Sequence, residues 1–136
     1  MIYRMLGVGI AAMLTLVPMA NAQGIAQTIY GETITEDEVD QRMKLNKLLS
    51  KPVTRQDVVG QLADDKDKIQ EARHAGVLPT EAYTEANLKS HGEILEKTLI
   101  ENGVSVDTFR SLLRADAARS NLARYRRYQY RDLRYH

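Results

Sequence analysis

Acidic side chains crowd one stretch of this sequence: Asp64, Asp65, Asp67 and Glu71, interleaved with Lys66 and Lys68. Paired carboxylates do general acid–base or glycosyl-transfer chemistry when their environments push their pKa values apart. Here Asp64 and Glu71 lie two helical turns apart and the lysines neutralise the cluster, so the run reads as a solvated helix face with i,i+4 ion pairs. The histidines, His74, His91 and His136, are too dispersed for a metal cage. His74 suits the negative end of a helix dipole, and His91, just before Gly92, suits a helix cap. The absence of cysteine excludes disulfides, thiolate zinc sites, iron–sulfur clusters and cysteine nucleophiles together. No G-x-S-x-G, Gly-rich phosphate loop, H-E-x-x-H or EF-hand loop occurs. The expectation is a protein without a catalytic residue, a metal or a cofactor.

The other distinctive chemistry lies at the C-terminal end. Arg124-Tyr125-Arg126-Arg127-Tyr128-Gln129-Tyr130-Arg131 interleaves cations and aromatic rings. Residues 119–136 hold six arginines, four tyrosines and a single acid, Asp132, whereas residues 23–118 hold 12 Lys/Arg against 17 Asp/Glu. An acidic body with a basic tail leaves two readings open. The tail packs on the body, its arginines pairing with acids, or it serves an outside partner: anionic lipid headgroups, an envelope polymer or an unfolded polypeptide. Tyrosine stacking on bases with arginine on phosphates would suit nucleic acid, but the N-terminus argues for export and against that partner.

That N-terminus carries Arg4, an uncharged run from Met5 to Met19, and Ala20-Asn21-Ala22 before Gln23. A positive start, an apolar run and a small-x-small site predict a signal peptide over residues 1–22. The run is shorter than the roughly 20 residues that span a bilayer, although an uncleaved anchor is the alternative. The expected product is a periplasmic domain of residues 23–136, large enough for one modest core.

Few Gly and Pro residues and 43% apolar content favour helices. Residues 25–34 read as a short hairpin or strand around Gly31. Thr35-Glu36-Asp37-Glu38 is a capping box for a first helix reaching about Ser50, burying Val39, Met43, Leu45, Leu48 and Leu49 and stopped by Pro52. Thr54 caps a second helix to about Ala75, with Val58, Val59, Leu62, Ile69 and Ala72 inward and Gly76-Val77 closing it. Pro79-Thr80 opens a third stretch that Gly92 splits or bends before Asn102-Gly103. Ser105 caps a last helix with Phe109, Leu112, Leu113, Ala117 and Leu122 inward. The predicted fold is mainly α: a small domain of four to five helices with a short N-terminal β-hairpin or strand.

The order of these segments resembles the N-terminal domain of SurA-type periplasmic chaperones. Ile29-Tyr30-Gly31-Glu32-Thr33-Ile34-Thr35, followed by Asp37, Val39, Asp40 and Gln41-Arg42, is similar to that family's opening strand-turn and helix. Leu62 to Ala72 is similar to its "L-I-D-x-K-L-x-I-Q-E-A" helix, Gly76-Val77 to its turn, and Thr80-Glu81 to its next helix start. Gly103-Val104 with Phe109-Arg110, Leu113-Arg114 and Asp116 is similar to its late segment. Tyr30 stands where the family has Asn, and Asp67 where it is usually apolar, so the second helix should pack less deeply. Relatives that isomerise X-Pro bonds carry an added parvulin domain, and only eight residues follow Tyr128. The resemblance therefore implies a chaperone-like module for unfolded or extended polypeptides such as outer-membrane protein precursors, and not an enzyme. Its expected contacts are Leu45, Leu49, Phe109 and Leu113, the rings of Tyr125, Tyr128 and Tyr130, and Arg124, Arg126 and Arg127 to steer acidic clients. An envelope adaptor that uses residues 119–136 at a membrane surface is the first alternative, and residual prolyl isomerase activity the second. The family's closing helix has no counterpart except the Arg/Tyr tail, which leaves a homodimer through shared apolar faces open.

Overall fold

The computed structural model describes residues 24–29 and 32–135, so the predicted leader over residues 1–22 lies outside the described residues. Two strands, β1 (Ile25–Ile29) and β2 (Glu32–Thr35), are followed by α1 (Glu36–Leu48), α2 (Arg55–His74), α3 (Glu81–Ser90), α4 (Gly92–Glu101) and α5 (Val106–Tyr135). The domain is mainly α, as the pattern predicts. The strands pair antiparallel with Ile29 opposite Glu32 and Ile25 opposite Thr35, and a register shift falls between Ile25 and Gln27.

Local chemistry sets most boundaries. The Glu38 N–H donates to Thr35 Oγ1 at 3.1 Å while the Thr35 N–H donates to the Glu38 carboxylate at 3.1 Å, which completes the capping box. Thr54, Thr80 and Ser105 accept the N–H of Asp57, Tyr83 and Thr108 in the same way. Gly76, at φ +71°, closes α2: its N–H reaches Arg73 and the Val77 N–H reaches Ala72, the two bonds of a Schellman ending. Gly92, at φ +80°, breaks what would be a single helix into α3 and α4. α1 stops two residues before the predicted Ser50, which itself turns back at φ +57°.

Burial is distributed over three adjoining clusters. Ile34, Val39 and Val58 fasten the hairpin and α1 to the first half of α2. Leu45, Leu99, Val104 and Phe109 join α1, α4 and α5, with Leu48, Leu88, Leu95, Leu112 and Leu113 packed around them. Ala72, Ala118 and Leu122 hold α2 against α5, flanked by Ile69, Val77 and Leu78. Small residues at that seam let the two backbones approach closely. The pairs Asp65–Arg119 and Glu71–Arg126 rise together in number, so α2 and α5 run parallel. Gln41 adds a polar tie: its amide donates to the Gly103 carbonyl at 3.0 Å and accepts the Ser105 N–H at 2.8 Å.

Two sequence expectations need correction here. Leu45 is 0% exposed and Phe109 6%, because α4 and the Val104 turn cover them, so neither can touch a client from this fold. Leu113 is partly buried against the same cluster, and only Leu49 of those four leucine and phenylalanine candidates is exposed. The run 64–68 is not wholly solvated either. Asp65 is 6% exposed, because it falls on the inward stripe between Leu62 and Ile69.

Candidate functional site

Where α2 ends and α3 begins, the chain makes a tight corner that α5 crosses. The Schellman ending at Gly76 directs Val77 and Leu78 inward, and Pro79 precedes the Thr80 cap of α3. The cap fixes the first turn of α3, which projects Tyr83 outward from that turn. On the other side Asn121 of α5 donates its amide to the Val77 carbonyl at 2.8 Å. Its carbonyl in turn accepts from Arg124 at 2.5 Å. This one side chain therefore sets the register between the corner and the root of the tail.

The result is an open cleft of about 600 Å³. Val77, Leu78 and Pro79 line its floor, Tyr83 one wall, Tyr125 and Tyr128 the other, and Arg124 with Asn121 and Thr80 the polar rim. The Tyr125 hydroxyl accepts from the Gln129 amide at 2.8 Å, which holds the ring along the helix. The arrangement offers apolar contact to a side chain, hydroxyl and amide partners for a main chain, and one cation for an acid.

Arg124, Tyr125 and Tyr128 are brought together here, as three of the residues expected from the sequence. The remaining ones part company. Arg126 turns away from the cleft and pairs with Glu71, which ties the tail to α2. Arg127 shares an exposed crease with Arg124, Tyr128 and Arg131, and Tyr130 stands free at 65% exposure. Leu49 lines a separate, polar depression with Lys51, Val53 and Asp57. The cleft residues missed from the sequence are Val77, Leu78, Pro79 and Tyr83. Their signal was the Gly76 turn, followed by a tyrosine in the first turn of the next helix, off its apolar face.

Beneath the tail root lies an ion centre that the charge pattern concealed. Arg42 donates to one oxygen of Asp65 at 2.5 Å, and Arg119 donates to the other. Arg119 also reaches Asp64 at 2.8 Å and Asp116 at 3.1 Å. Partial burial pulls the Arg119 pKa down, but its hydrogen bonds to Asp65 and Asp64 outweigh this and raise it. The Arg119 hydrogen bond holds the Asp64 carboxyl below its ordinary range, and the Arg126 hydrogen bond does the same for Glu71. Asp64, Asp65 and Glu71 are thus each paired with an arginine of α5. Among the described residues no group of three His, Asp or Glu side chains could hold a metal ion, and no helix is long and apolar enough to cross a membrane. Comparison of the chain with protein-family models, with curated proteins and with solved structures finds no match.

Proposed function

We propose that the protein is a periplasmic chaperone-like module that holds extended or unfolded polypeptide in the cleft between Tyr83 and Tyr125. The observation that carries this reading is the cleft itself: apolar floor, aromatic walls and a single rim cation, all held in place by caps and by Asn121. The leader-like residues 1–22 support the compartment, and the resemblance to SurA-type N-terminal domains supports the class of client. A bound segment would place an apolar or aromatic side chain over Val77, Leu78 and Pro79 and an acidic neighbour beside Arg124. Holding requires no covalent chemistry. It requires that exposed apolar side chains of a client find a surface sooner than they find each other.

The test is light scattering from a denatured outer-membrane protein diluted into buffer, with and without the protein. Suppressed scattering at several-fold molar excess is expected. Tyr83→Ser combined with Tyr125→Ser should abolish most of the suppression while leaving helicity unchanged. Full scattering in the presence of the unaltered protein would overturn the reading.

A further inference from the structure

Six arginines lie in the tail, and the fold sorts them into two faces of one helix. Arg119 and Arg126, seven residues apart, face α2 and pair with Asp64, Asp65 and Glu71. Arg124, Arg127, Arg131 and Arg134 follow one another at spacings of three, four and three residues, which puts them in one row on the opposite face. Among the described residues none of these four has a carboxylate within salt-bridge distance. Tyr128 and Tyr130 border the row at 68% and 65% exposure, and the Arg134 guanidinium lies 5.8 Å from the Tyr130 ring centre. The supporting helix α2 ends at His74, and the last ion pair to it is Glu71–Arg126. In parallel helices that pair sets Gln129 level with His74, so residues 130–135 of α5 run on roughly 9 Å beyond it, at 1.5 Å per residue.

We infer that this arginine row is a docking surface for an anionic phospholipid bilayer. An extended nucleic acid or acidic peptide is best held in a groove with walls on both sides. The row, with its shallow crease at Arg124, Arg127 and Arg131, instead lies on the outer side of a single helix and leaves Arg134 at the projecting end, a shape that a plane of headgroup phosphates can meet along its length. Arginine forks match phosphate oxygens, and tyrosine is the ring that settles at the headgroup level. Charge segregation supplies orientation. Residues 119–136 carry five excess positive charges and residues 23–118 five excess negative ones. An anionic surface therefore attracts the tail and repels the body, so the helix meets it tail first. This goes beyond the polypeptide-holding reading, and it places the cleft, which shares Arg124 and Tyr128 with the row, next to the surface.

The test is co-sedimentation of the whole chain with vesicles of phosphatidylcholine alone and of phosphatidylcholine mixed with phosphatidylglycerol. Comparison between variants of the same chain cancels whatever residues 1–22 contribute. Binding is expected only with phosphatidylglycerol, and it should weaken as salt rises. Arg127→Gln should lower partitioning about fivefold and Arg127→Gln with Arg131→Gln about 25-fold, at roughly one headgroup interaction per arginine. Arg126→Gln, already neutralised by Glu71, should change it little, with circular dichroism confirming an intact helix. Equal losses from Arg126→Gln and Arg127→Gln would overturn the inference, because net charge alone would then explain binding. So would tighter binding to single-stranded DNA or to polyglutamate than to the vesicles, or pairing of two copies through the tail.

Discussion

A carboxylate enclosed by two guanidinium groups has lost most of its hydration, and only those partners replace it. Asp65 is in that position between Arg42 and Arg119. Arg42 is itself 4% exposed, and its Nε has no hydrogen-bond partner in the protein. Asp65→Ala would leave the Arg42 cation buried without its counter-charge, and the expected loss is about 3–5 kcal/mol in a urea titration. Asp67→Ala, two residues on, removes only a half-exposed partner of Lys68 and should change stability by less than about 0.5 kcal/mol. Equal effects would show that burial does not distinguish these acids. The distinction was legible in outline. Val58, Leu62, Asp65, Ile69 and Ala72 are spaced four, three, four and three residues apart, so Asp65 occupies an inward position that the apolar residues leave vacant. Alternation of sign along the run hid this, because charge order is read along the chain while burial follows the helix period.

Helix ends were far more legible than helix partners, for a physical reason. A cap is closed by residues within five positions of one another, so Thr35, Thr54, Thr80, Ser105 and Gly76 announce their roles locally. Gly76 shows how strict such a position is. An added Cβ would meet nothing within 4 Å, yet φ is +71°, so Gly76→Ala should cost about 1–2 kcal/mol from backbone strain alone. A stabilising effect would mean that the α2 ending is not left-handed. Partners, by contrast, are set by contacts fifty residues apart. Leu45 and Phe109 have the side chains and spacing of either a core or a groove, and only Leu99 and Val104, arriving from α4 and its turn, decide for the core. The same holds for the seam of α2 and α5, where Ala72 and Ala118 are wholly buried. Ala118→Leu should overpack that seam and cost about 1–3 kcal/mol, measured by denaturant unfolding. The seam's ion pairs add a pH dependence. Lowered carboxyl pKa values stabilise the folded state above the ordinary values of 3.8 for Asp64 and 4.5 for Glu71, and this contribution fades as pH falls through the lowered ones. The melting temperature should accordingly decline on acidification below about those ordinary values, and Glu71→Gln should remove part of that decline.

At the scale of the whole molecule, α1, α2 and α5 each enter two of the three clusters, and the length of α5 divides into a packed part and a projecting part. Phe109, Ala115, Ala118 and Leu122 are buried, whereas every residue from 126 to 134 is exposed. The sequence posed the tail as either folded onto the body or free for a partner, and the structure makes the division within the tail itself, between Arg126 and Arg127. That division predicts the outcome of shortening the chain at two places. Ending it after Arg126 removes residues that are exposed from 127 to 134, so the unfolding free energy should change by less than about 0.5 kcal/mol. Ending it after Ala117 removes Ala118, Leu122 and the Arg119 partner of Asp65, which combines a lost apolar seam with a weakened buried ion pair. The loss should exceed about 3 kcal/mol and bring the domain close to unfolding at ordinary temperatures. If instead the chain ending at Arg126 melted as poorly as the one ending at Ala117, the projecting helix would have to be covered by a partner that stabilises the fold. With the expected result, the shorter stable chain keeps the cleft's floor, Tyr83, Arg124 and Tyr125, gives up Tyr128 at its edge, and loses three of the four row arginines. Retained suppression of aggregation with lost vesicle binding would then assign holding to the cleft and docking to the row.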